Sequence, residues 1–206
     1  MNQKQIKAVL LDWAGTTVDY GSCAPAGVFV DVFRRNGVRL TMEQAREPMG
    51  MDKREHIATI TRMPAVETQW RRIHGRGFNE TDIDAIYREF VPTQIACLKD
   101  FSALIPGTLA AVREFRRRGI KIATNTGYSS DMIGIVAEEA RKQGFDPDVI
   151  VCATEVPAGR PAPWMAYLAA QKMGVFPLEC IVKIGDTVAD VHEGLNAGMW
   201  SVGLAR

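Results

Sequence analysis

A four-residue apolar run, Ala8 to Leu11, drives into Asp12 and a Gly-Thr-Thr turn, and this junction constrains the fold most. Such a run, bounded by a turn, reads as a buried parallel strand, Lys7 to Asp12, with one carboxylate at its carboxyl end. Open α/β sheets place their ligands there. From Pro25 to about Lys99 the texture is helical, without strand patterns. Pro25-Ala26-Gly27 opens a helix carrying Val28, Val32 and Phe33 and stopping at Asn36-Gly37. Thr41 caps a second helix and Asp52 a third, through Ile57 and Ile60, and Val66–His74 and Thr81–Leu98 supply two more.

Strand–helix alternation resumes after Pro106-Gly107. A helix from Thr108 to Arg118 precedes a strand over Ile120–Thr124. Further strands are expected at Val149–Cys152, Ile181–Ile184 and Trp200–Leu204, with a helix at Trp164–Met173. Repeated right-handed crossovers of this kind predict an α/β fold: a Rossmann-like parallel sheet core with a helical cap inserted after the first strand. The expected division is a core of residues 1–20 and 100–206 and a cap of residues 21–99, overhanging the carboxyl end of strand 1 as a lid.

Composition narrows the class. At 206 residues and 47% hydrophobic, the chain can bury a sizeable core. Its 25 basic and 24 acidic residues leave a net charge of +1, which argues against a nucleic-acid or membrane-surface partner. Its apolar runs are too short for a transmembrane helix, and Met1-Asn2-Gln3-Lys4-Gln5 lacks the features of a signal peptide. Cys23, Cys97, Cys152 and Cys180 are scattered without metal or redox spacing. The expectation is a reduced, cytoplasmic protein.

Three later segments, each at an expected strand end, give Asp12 its weight. Thr126 and Gly127, in Thr124-Asn125-Thr126-Gly127-Tyr128, offer a hydroxyl and backbone N–H groups for a phosphoryl oxygen. Arg160, in Gly159-Arg160-Pro161-Ala162-Pro163, offers a cation to pair with both that group and Asp12. Asp186 and Asp190, in Gly185-Asp186-Thr187-Val188-Ala189-Asp190, complete with Asp12 a hard oxygen cluster suited to magnesium. Singly, each segment also reads as a helix cap or a surface charge; in this order, all at strand ends, they point to phosphoryl chemistry.

This set resembles the four motifs of the haloacid dehalogenase superfamily, with Arg160 where Lys is more usual. The resemblance implies an aspartyl-phosphate formed on Asp12. In the superfamily's phosphatases a second Asp, two residues on, protonates the departing alkoxide. Here that position is Ala14, which has no proton to give.

The insert offers an explanation in Met49-Gly50-Met51-Asp52-Lys53-Arg54-Glu55-His56, a helix start with two cations in its first turn. A helix N-terminus disfavours positive charge, so Lys53 is expected to lose its proton more readily than usual, with Arg54 and His56 pushing the same way. A lysine so poised forms an imine with an aldehyde; the alternative is an ordinary solvated lysine, and burial under the lid is what reactivity would require. Together with Asp12-Trp13-Ala14-Gly15-Thr16 and Thr126-Gly127-Tyr128, this segment resembles the phosphonoacetaldehyde hydrolase (phosphonatase) family. The resemblance implies a Lys53 imine that draws electrons from the carbon–phosphorus bond, so the leaving group departs as an enamine and needs no acid at position 14. It implies that Asp12, the Ala14 carbonyl, Asp186 and Asp190 hold magnesium, and that Met49, His56 and Tyr128 lie near the imine. It further implies a homodimer through the cap, served by Val28, Val32 and Phe33 unless these build the cap's own core. Cys23, just before the first cap helix, is a minor candidate for the pocket wall. Members of the family usually continue beyond the last residue here with a helix and a strand, so an exposed sheet edge is expected. The readings left in competition are a magnesium-dependent phosphate-monoester hydrolase or phosphomutase and a non-catalytic binding protein.

Overall fold

The computed structural model describes residues 5–205. Met1–Lys4 and Arg206, placed by the sequence reading in the core, lie outside the described residues. Five strands make one parallel sheet in the order β3-β2-β1-β4-β5: β1 Ala8–Leu11, β2 Lys121–Thr126, β3 Val149–Cys152, β4 Ile181–Gly185 and β5 Trp200–Gly203. The chain builds outward from β1 through β2 to β3, then crosses back to add β4 and β5 on the other side. The switch point therefore falls at β1, where Leu11 pairs with Thr124 on β2 and with Ile184 on β4. Asp12 follows directly, its N–H donating to the Ile184 carbonyl at 2.9 Å.

Successive strand side chains point to opposite faces, and the core divides accordingly. Ala8, Leu10, Ala123, Val151 and Ile181 pack on α8 (Trp164–Met173) through Met165, Ala166 and Ala169. Val9, Leu11 and Ile122 meet α6 (Thr108–Arg117) and α7 (Ser130–Lys142) through Val112, Met132 and Val136. This second cluster runs on through Trp13 into the helical segment. On edge strand β5, Trp200 and Val202 are exposed.

Between β1 and α6 the chain forms five α-helices: α1 Cys23–Arg35, α2 Met42–Arg46, α3 Lys53–Thr61, α4 Pro64–His74 and α5 Glu80–Cys97. Local chemistry explains their starts. Thr41 and Gln44 form a capping box on α2, and Asn79 and Asp82 form one on α5. Asp52 accepts from the N–H groups of Arg54 and Glu55 at 3.0 and 3.2 Å, starting α3 at Lys53. Helix α1 begins two residues before the expected Pro25, because the Asp19 carboxylate accepts from the Cys23 and Ala24 N–H groups. Phe29, Val32 and Phe33 on α1 meet Ile83, Ile86 and Phe90 on α5 in one apolar core. Val28, Val32 and Phe33 are all buried in that core and so present no interface to a second chain.

Two helices not expected individually are α7 and α9 (Val188–Asn196). The first expected strand of the second half is shifted: β2 omits Ile120 and reaches Thr126 rather than Thr124, because Asn125 and Thr126 continue the ladder with Val151 and Cys152 despite their polarity. Among the described residues, no helix is long and apolar enough to cross a membrane.

Candidate active site

All four motif segments converge at the carboxyl end of the sheet, and the helical segment closes over them. A cavity of about 20 Å³ is lined by Asp12, Ala14, Met49, Lys53, Thr126, Gly127, Tyr128 and Arg160, with Pro25, Gly50 and Thr187. The closeness of the two layers is fixed by glycines. A Cβ on Gly127 would fall 2.3 Å from the Met51 carbonyl oxygen, and one on Gly50, whose φ is +90°, would fall 2.4 Å from Thr187 Oγ1. No side chain fits at either position without parting the layers. Beside this cavity lies a cleft of about 750 Å³, bordered by Met51, Asp52 and the 156–162 segment, which shares Arg160 with it.

The sheet side of the site is a network of buried charges. Arg160 Nη1 lies 2.7 Å from Asp12 Oδ1 and 2.9 Å from Asp190 Oδ1. Lys183 Nζ donates to Asp190 Oδ1 at 2.6 Å, and Thr187 Oγ1 donates to Asp190 Oδ2 at 2.5 Å. Burial alone would lower the Arg160 pKa, but Asp12, Asp190 and Glu193 outweigh it and raise it above the ordinary value. Asp12 is pushed up to about 6, first by burial and then by Asp190 and Asp186, against the pull of Arg160 and Lys183. Asp190 is held down at about 2: Arg160, Lys183 and Thr187 overcome its burial.

The helical side contributes one charge by a different route. Lys53, first residue of α3, is 4% exposed. Its Nζ lies 5.1 Å from the Tyr128 ring centroid and 5.9 Å from that of Phe29. Its pKa falls from 10.5 to about 8; burial is the main cause, opposed by Asp12 and Asp52 and assisted by Arg160. The expected assistance from Arg54 and His56 is absent among these causes. Arg54 turns away to Glu80 and Asp84 at 2.7 and 2.8 Å. His56 is itself driven well below its usual pKa by burial and by Lys53, and so is neutral.

The structure brings Asp12, Ala14, Met49, Lys53, Thr126, Gly127, Tyr128 and Arg160 together, but sets His56 back from the cavity wall. The His56 ring stacks on Phe29 at 3.9 Å, with Nε2 3.0 Å from the Ala45 carbonyl, which assigns the proton to Nε2 and leaves Nδ1 without a partner among the described residues. Cys23 is exposed and lines no part of the cavity, whereas its neighbour Ser22 donates to the Ala14 carbonyl at 3.0 Å. Sequence reasoning missed Asn125, Lys183 and Glu193, all fully buried beneath Arg160. Lys183 carries the clearest signal, a charge inside the otherwise apolar strand β4.

Asp12, Asp186 and Asp190 each offer a carboxylate oxygen, and these atoms lie within 4.8 Å of one another. Such a hard, all-oxygen set fits a divalent cation, which would relieve the repulsion that Asp190 and Asp186 add to the burial of Asp12.

The profile of the haloacid dehalogenase-like hydrolases matches residues 6–198. The chain is 48% identical over 201 residues to a phosphonoacetaldehyde hydrolase of Nitratidesulfovibrio vulgaris, covering 98% of this chain and 72% of that protein. It is likewise 48% identical over 200 residues to one of Bacillus cereus, covering 97% of this chain and 76% of that protein. The crystal structure of a phosphonoacetaldehyde hydrolase-like protein from Oleispira antarctica superposes with a TM-score of 0.94 at 40% identity, over 97% of this chain and 72% of that one. Five parallel strands, four converging motifs and these relatives agree: the chain is an enzyme that belongs to the phosphonoacetaldehyde hydrolases, within the haloacid dehalogenase-like hydrolases.

Proposed function

We propose that this chain hydrolyses the carbon–phosphorus bond of phosphonoacetaldehyde to acetaldehyde and phosphate, with residues 21–99 acting as the lid on a core of residues 1–20 and 100–206. One observation carries this reading: a buried lysine of lowered pKa, Lys53, lines the same small cavity as Asp12 and Arg160, where Ala14 stands at the acid's position. A chamber of about 20 Å³ has room for little more than a water molecule, so the lid has to part for substrate to enter.

In this mechanism neutral Lys53 Nζ attacks the aldehyde carbon, and loss of water with uptake of one proton from solvent forms a protonated imine. A carboxylate oxygen of Asp12 attacks phosphorus as the carbon–phosphorus bond breaks. The bonding pair moves into the carbon framework, neutralises the imine nitrogen and leaves an enamine on Lys53. Arg160 balances the two anions that must meet. Water then cleaves the aspartyl-phosphate, and protonation and hydrolysis of the enamine release acetaldehyde and restore Lys53. Tyr128 and Met49 flank the imine, while His56 supports Phe29 behind it. Magnesium, held by Asp12, the Ala14 carbonyl, Asp186 and Asp190, would screen the approach of carboxylate to phosphorus. Asp190 is already met by Arg160, Lys183 and Thr187, which favours Asp12 and Asp186 as the direct carboxylate ligands. A cytoplasmic homodimer completes the proposal, through cap surface other than Val28, Val32 and Phe33.

The test is a product assay with magnesium present. Equal release of phosphate and acetaldehyde from phosphonoacetaldehyde, with little turnover of p-nitrophenyl phosphate, is the expected result. Faster turnover of the phosphate ester would favour a monoester hydrolase instead.

A further inference from the structure

Glu193 lies on α9, three residues beyond Asp190, fully buried and outside the cavity wall. Asn125, on β2 just before Thr126, is buried as completely. We infer that Glu193 and Asn125 are a positioning pair that aims Arg160 at Asp12; the inference rests on the reading of Asp12 as the nucleophile.

A guanidinium presents five N–H donors in a rigid plane, so fixing two of its edges fixes the third. Arg160 Nε donates to Glu193 Oε2 at 3.1 Å. Its Nη2 donates to the Asn125 carbonyl at 2.7 Å and to Asn125 Oδ1 at 2.5 Å. Nη1 is thereby left facing Asp12 and Asp190. Asn125 Nδ2 closes the ring by donating to Glu193 Oε1 and Oε2 at 2.8 and 2.9 Å. Lys183 Nζ donates to Asn125 Oδ1 at 3.1 Å and lies 3.7 Å from Glu193 Oε2. Two cationic donors on Asn125 Oδ1 assign that atom as the oxygen. Every acceptor in the ring thus faces a donor, and position 193 has to supply acceptors only.

This pattern makes the ring sensitive to polarity rather than to size. Glu193→Gln places an amide N–H₂ against either Asn125 Nδ2 or Arg160 Nε, both donors. Asn125→Asp alone sets two carboxylates side by side. Made together, the two substitutions reverse the ring. The carboxylate introduced at position 125 would accept from the new amide, from Arg160 Nη2 and from Lys183, while the amide oxygen would accept from Arg160 Nε. Total charge and volume are preserved.

The test compares kcat and KM for phosphonoacetaldehyde, borohydride trapping of substrate on Lys53, and thermal unfolding in the parent and three variants. Glu193→Gln and Asn125→Asp are each expected to lower kcat by about 10- to 100-fold, the usual cost of removing a supporting partner. Trapping on Lys53 should stay at the parent yield, because the imine does not need Arg160 aimed at Asp12. The double variant should recover to within about threefold of the parent, the recovery being the coupling that a double-mutant cycle reads. A double variant that melts with the parent yet stays as slow as either single would overturn the inference. So would loss of trapping in step with kcat, or a Glu193→Gln enzyme at parental kcat, and this last outcome decides if the double variant does not fold. A parent enzyme that traps nothing on Lys53 and releases no phosphate would instead overturn the proposed reaction.

Discussion

Two cations reach the same cavity from opposite layers, equally hidden from solvent and oppositely tuned. Arg160, from the sheet side, is 3% exposed; Lys53, from the helical side, is 4% exposed. Arg160 lies against Asp12, Asp190 and Glu193, and its pKa goes up. Lys53 lies near the rings of Phe29 and Tyr128, and its pKa comes down to about 8. Burial penalises both charges, so neighbours decide the sign. The proposed chemistry asks for this difference: a permanent charge to balance anions at phosphorus, and an amine that can shed its proton and attack a carbonyl.

Breaking the contrast at Lys53 has the largest expected effect. Lys53→Arg keeps a cation but removes the titratable amine, and phosphonoacetaldehyde turnover should fall by about 10⁴-fold or more in a phosphate-release assay. Arg160→Lys breaks it from the other side. An ammonium cannot hold the Glu193, Asn125 and Asp12 edges at once, and kcat should fall by about 100-fold with little change in Lys53 trapping. The pH dependence sharpens the contrast without mutation. Below about 8 Lys53 is mainly protonated, so the rate of borohydride trapping should rise with pH, about fivefold from pH 7 to pH 8, and level off above. Arg160 stays charged throughout and adds no step of its own. Smallest of all is Ala14→Asp. If the imine already handles the leaving group, phosphate release from phosphonoacetaldehyde should stay unchanged or drop, and a clear gain would argue for missing acid catalysis.

What the sequence disclosed follows the range of each interaction. Asp12, Thr126 and Asp186 stand at the ends of β1, β2 and β4, Asp190 in the first turn of α9 and Arg160 in the turn segment after β3, and nearby turns marked all five in the sequence. The caps at Thr41 and Asp52 are also local, and both helices start where expected. Asn125, Lys183 and Glu193 were not found because the contacts that join them to one another and to Arg160 reach 33 to 68 residues along the chain, and the nearer partner of Lys183, Asp190, meets it only once α9 folds back on β4. The lowered pKa of Lys53 was expected from helix-start charge, with burial under the lid as the condition, and the two weigh differently in the structure. Charge along one helix turn suggested it, but burial beneath the closed layers dominates, and Arg54 is drawn off by Glu80 and Asp84 on α5. The loss of β2's true end has the same origin, since polar residues in a strand read as loop until a partner strand pairs with them.

In the proposed reaction a buried lysine on the helical layer replaces the acid that Ala14 lacks. Borohydride reduction in the presence of phosphonoacetaldehyde, followed by peptide mapping, tests it most directly. The expected result is one substrate-derived adduct, on Lys53, with loss of activity in proportion to labelling. Phosphonoacetaldehyde turnover with no adduct, or with the adduct on another lysine, would contradict it.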